Sequence, residues 1–155
     1  MKFEKFVKSL ASSGTIYERE NGERWLASPS VFMLIPPTVK SVTAVEITRM
    51  PQSIEKMISQ IGHTDTATLT AAYMPVPDGG IKDCQREFSN EAGDIRCLIA
   101  NDDYTLIEKS DMTEILYAYD LDTDRQEAKA LMVKVYPVVP EEDDELVGII
   151  FPIIL

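Results

Sequence analysis

A chain of 155 residues, 45% of them hydrophobic and 26% charged, lies in the ordinary globular range and has the length of a single domain. It is long enough to bury roughly 68–70% of its unfolded surface without help from a metal or a disulfide. Its net charge of −11 excludes broad, non-specific attraction to phosphate or anionic lipid, while leaving room for a local basic face.

Phe3, Phe6, Val7 and Leu10 fall at helical spacing, so the first eleven residues predict a short amphipathic helix that ends near Gly14. Its opposite face carries Lys2, Lys5 and Lys8, a basic stripe in an acidic chain. Residues 15–20 and 23–27 flank Asn21-Gly22 and predict a β-hairpin closed by a type I′ turn. Residues 31–35 (VFMLI), stopped by Pro36-Pro37, and residues 42–47 (VTAVEI) predict two further strands. Pro51 opens a second helix along Ile54, Met57, Ile58 and Ile61, with Gly62 as its stop. Residues 67–74 then read as a strand, and the turn cluster from Pro75 to Gly80 marks the natural midpoint.

In the second half, residues 84–88, 95–100 and 104–108 predict short strands. A third helix is expected over residues 110–119, where Met112, Ile115, Leu116 and Tyr119 share a stripe and Asp111 with Glu114 resembles a capping box. Two long strands, residues 130–139 and 146–155, close the chain around the acidic run at 141–145. Pro137 and Pro152 mark edges or bulges within them. The sum is an α+β chain, mostly antiparallel, with roughly eight or nine strands and three short helices. It forms one domain, 1–155, in which two similar helix-plus-strands halves, 1–76 and 81–155, are suggested.

The catalytic signatures are thin. His63 is the one histidine, so any histidine triad or zinc cluster has to pass through it. Gly-rich nucleotide loops and the nucleophile elbow are missing. Asp120, Asp122 and Asp124 begin like a calcium loop, yet Arg125 stands where the tight turn needs glycine and Leu131 where a bidentate glutamate belongs. Cys84 and Cys97 form neither a C-x-x-C nor a paired framework. Lys5 and Lys8 interrupt the early apolar residues that a secretory signal would need, and no apolar run approaches the ~20 residues of a membrane span. The expectation is a non-enzymatic cytoplasmic protein with no metal or cofactor and no membrane association.

The closing stretch Gly148-Ile149-Ile150-Phe151-Pro152-Ile153-Ile154-Leu155 resembles the last strand of bacterial DNA polymerase sliding clamps, which ends in an apolar run and Met-Pro-Met-Arg-Leu. Pro152 and Leu155 match directly, Phe151 and Ile153 replace methionines, and Ile154 stands in the arginine's place. The opening, a helix followed by Gly22-Glu23-Arg24-Trp25-Leu26 and the strand at 31–35, is similar to small clamp-like proteins of phages and prophages. The resemblance implies helices facing a DNA channel with sheets outside, and a pocket bordered by the last strand that accepts a replication protein's peptide. On that basis Lys2, Lys5 and Lys8 are the expected DNA contacts, and Phe151, Pro152, Ile153 and Leu155 the expected partner pocket. Self-assembly into a ring accompanies this picture. The alternative is an acidic interaction module, of immunity or inhibitor type, steered by its charge onto a basic protein.

Overall fold

The computed structural model describes residues 1–60, 63–74, 85–136 and 142–153, the side chains of 71–74 excepted. The turn cluster at Pro75 to Gly80, Cys84, Pro137, Glu141, Ile154 and Leu155 therefore lie outside the described residues. The chain is α+β and mostly sheet. In order, it runs through α1 (Phe3–Leu10), β1 (Thr15–Glu18), β2 (Arg24–Ala27), β3 (Val31–Leu34), β4 (Glu46–Arg49) and α2 (Gln52–Ser59). It continues through β5 (Thr64–Thr66), β6 (Thr68–Met74), β7 (Gln85–Ser89), β8 (Arg96–Ala100) and the single turn α3 (Asn101–Tyr104). The last elements are β9 (Met112–Asp120), β10 (Arg125–Val135) and β11 (Glu145–Ile150).

An eight-stranded mixed sheet in the order β4-β1-β2-β3-β11-β10-β9-β5 forms the body, and β6-β7-β8 make a small antiparallel sheet. Among the described residues, only the β1–β4 pair in the large sheet is parallel, with Ile16 opposite Ile47. Alternation along each strand sends side chains to two separate cores. On one face Ile16, Leu26, Val31, Met33, Ile115, Leu131, Val133 and Ile150 pack with Phe6 of α1 and with Phe88, Cys97 and Ile99 of the small sheet. On the other, Trp25, Phe32, Leu116, Ala130, Met132 and Ile149 pack beneath Ile54 of α2. The result is three layers with the large sheet in the middle.

Gly14 lets α1 lie close to β2. A Cβ there would meet Leu10 Cδ1 at 2.7 Å and Leu26 Cδ1 at 2.9 Å. The Asn21-Gly22 hairpin forms, but not with the predicted turn. Gly22 alone takes a positive φ, +88°, its N–H donates to Arg19 O at 3.0 Å, and the Arg19 N–H donates to Glu23 O at 2.9 Å. That is a type I turn followed by a left-handed glycine, in which the Asn21 side chain accepts from the Glu23 N–H at 3.0 Å.

Three other expectations are corrected. The strand expected over residues 42–47 is β4, Glu46–Arg49, with no strand over residues 42–45. The third helix expected over residues 110–119 is instead strand β9, paired with β10 from Met112 to Asp120 and with β5 through Thr64 opposite Leu116. Its Thr113, Ile115, Tyr117 and Tyr119 suit a pleated strand, and two partner strands satisfy its backbone. The strand expected at 104–108 is a turn: α3 ends at Tyr104, and the Leu106 and Ile107 N–H groups donate back to Asp103 and Tyr104 carbonyls at 3.1 and 3.0 Å. The spans 1–76 and 81–155 are intermeshed, since β5 pairs with β9 and β6 with β7. α1 and α2 lie on opposite faces of the large sheet, unlike helices that line one side of a channel.

Candidate functional site

β11 sits inside the large sheet between β3 and β10, and its ladder ends with Ile150 opposite Val31 and Leu131. The chain then leaves the sheet in a controlled way. The Phe151 N–H donates to Ser30 O at 2.8 Å, and its ring meets Phe32 edge-on with centroids 5.6 Å apart. Pro152 has no N–H to offer, and the Ile153 N–H donates to Leu98 O at 2.8 Å. The tail thus crosses from the large sheet to β8 of the small one.

This crossing walls a cleft of about 460 Å³. Pro152, Ile153, Leu98 and Ala128 supply its apolar surface. Its rim carries two ion pairs, Glu87–Arg96 at 3.3 Å and Arg125–Glu127 at 3.7 Å. The volume falls in the range of about 300–1,000 Å³ typical of sites that take a ligand or an anchoring side chain. Of the four residues expected to form a partner pocket, Pro152 and Ile153 line this cleft, Phe151 is half-buried against Phe32, and Leu155 is outside the described residues. Leu98, Ala128 and the rim arginines were not legible in the sequence, since they reach the tail from β8 and β10 only through tertiary packing.

The other expected group is the lysine stripe. Lys2, Lys5 and Lys8 are all exposed, because Phe3, Phe6, Val7 and Leu10 take the inward side of α1. Lys5 shares a cleft of about 410 Å³ with Ser28, Asp102, Asp103 and Thr105. Burial pushes the Asp103 carboxyl above its ordinary value, with the Asp102 charge acting in the same direction and a hydrogen bond from Ser30 opposing both. The basic stripe therefore borders an acidic pair.

Chemically reactive groups are sparse among the described residues. His63 is exposed. Cys97 is fully buried, and desolvation pushes its thiol up to about 12, which suppresses the thiolate. Among these residues no group of three His, Cys, Asp or Glu stands close enough to hold a metal ion. The sequence also gave no signal for Arg19, whose guanidinium meets Glu55 at 3.0 and 3.1 Å and Glu23 at 2.6 Å. The bond to Glu55 is the main influence raising its pKa, and the fork pins α2 to the β1–β2 hairpin. The chain matches no protein-family model, and comparisons with curated proteins and with solved structures also give no match.

Proposed function

We propose that this protein acts without catalysis, as a clamp-like binding protein of phage or prophage type that docks a replication partner's peptide in the cleft bordered by its C-terminal segment. The carrying observation is that Pro152 and Ile153, two residues of the clamp-like ending, wall an apolar cleft with a charged rim. An apolar anchor would enter between Ile153, Leu98 and Ala128, while Arg96 and Arg125 at the mouth can each re-pair with a partner carboxylate. Peptide display on the immobilised protein tests this, with Ile153→Asp as counter-selection and its thermal melt as a check on folding. Peptides that bind the parent and fail on folded Ile153→Asp are expected; peptides that ignore the substitution sink the reading.

DNA contact through α1 is a second part of the same reading, supported by the shared exposure of Lys2, Lys5 and Lys8. Asp102 and Asp103 beside Lys5 limit the reach of that positive field, so binding to a short duplex should be weak and confined to low salt. Lys5→Glu with Lys8→Glu should abolish it in a gel-shift titration, and unchanged retention would remove the lysine face from consideration.

A further inference from the structure

The large sheet is wider than the helix that covers its second face. Eight strands spaced ~4.8 Å apart span about 35 Å, whereas the eight residues of α2 make a rod of about 12 Å. Ile54 of α2 joins the core of Trp25, Phe32 and Ile149, and beside the helix the sheet leaves a groove of about 370 Å³ over β10 and β11. Met57 and Ile58 of α2 line it together with Met132 of β10 and Leu146 of β11. Unbranched methionine side chains adapt their shape to an incoming apolar group at small cost.

The groove's charge is one-sided. Lys134, the cation that lines it, is already held by Glu114 at 2.6 Å. Asp143 and Asp144 also line it, are exposed, and have no ion-pair partner among the described residues. Glu142 and Glu145 on either side of them are exposed too. An apolar trough with an unneutralised acidic lip is complementary to an apolar side chain flanked by lysine or arginine.

We infer that the groove between α2 and the β10–β11 pair is a second docking site, taking a short amphipathic segment of a basic partner protein. The apolar anchor would sit against Met57, Met132 and Leu146, and its basic neighbours would pair with Asp143 and Asp144. The lip would also raise the encounter rate in a salt-dependent way. This site lies apart from the cleft at Pro152 and Ile153 and does not depend on it.

The test is a fluorescence-anisotropy titration of the full chain with a labelled twelve-residue leucine/lysine amphipathic peptide, and with its leucine/glutamate counterpart as the negative probe. The lysine peptide should bind and the glutamate peptide should not. Asp143→Lys with Asp144→Lys should weaken the lysine peptide about tenfold or more, whereas the same charge change at Glu91→Lys with Glu108→Lys should weaken it less than about threefold. Met57→Asp, at a half-buried lining residue, should also weaken it, with circular dichroism confirming the fold. Equal loss in the two lysine pairs would reduce the attraction to net charge and overturn the site. Ile153→Asp should leave this binding within about twofold, so failure of the C-terminal cleft and failure of this groove read out separately.

Discussion

Asp103 and Cys97 show how one environment property, burial, acts on two different acids. For Cys97 the thiolate is the disfavoured form, so the native thiol should be inert. In a Cys84→Ser background, reaction with a disulfide reagent at mildly alkaline pH should be slow in the folded protein and fast in denaturant; rapid native labelling would contradict the buried placement. For Asp103 the raised native pKa means that the folded chain holds the proton more tightly than the unfolded chain. Its contribution to stability is then fully present below the ordinary value of 3.8 and is lost as pH rises through the raised native value. Asp103→Asn should therefore raise the melting temperature near neutral pH and make little difference in acid. A fall in melting temperature at neutral pH would instead show that Lys5, across the same cleft, sustains the ionised carboxylate.

At the scale of elements, α1 is attached through its apolar side and, at its N-terminal end, through the Lys2 N–H donating to Leu106 O at 2.8 Å. Phe6 is 2% exposed against Ile16, Leu26 and Ile150, so Phe6→Ala should cost about 3–5 kcal/mol in urea unfolding, while exposed Lys8→Ala should stay within about 0.5 kcal/mol. α1 and α2 were legible because a short helix at the surface must show its apolar stripe every three or four residues, and both do. β9 was not, because Met112, Ile115, Leu116 and Tyr119 satisfy the helical spacing as well as Ile115 and Tyr117 satisfy alternation. What decides it is the pair of neighbours, β5 and β10, which no local window contains. The candidate cleft divides the same way: Pro152 and Ile153 stood out as a chain ending, whereas Leu98 and Ala128 are unremarkable within their own strands and matter only through the fold.

For the whole molecule, the decisive fact is that the last strand in sequence is an inner strand in space. β11 joins the sheet's β4-β1-β2-β3 part to its β10-β9-β5 part, with Gly148, Ile149 and Ile150 opposite Met33, Phe32 and Val31 on one side. Neither part completes its two cores without this strand, and its contacts with β3 are distant in sequence, so closing them carries a large chain-entropy cost. Two truncations separate its role from that of the segment beyond it. Removing residues 151–155 forfeits, among the described groups, the Phe151 edge contact on Phe32 and the backbone bonds to Ser30 and Leu98, and leaves the β11 ladders intact. That protein should fold cooperatively with a loss of about 2–4 kcal/mol, and should lose any partner of the C-terminal cleft. Removing residues 145–155 takes away Ile149 and Ile150, one from each core, and opens β3 and β10 as bare edges. It should show no cooperative thermal transition by circular dichroism and should aggregate. If the two truncations melt alike, β11 is not the strand that closes the sheet, and the cleft at Pro152 and Ile153 would have to be judged as part of the core rather than as a binding surface.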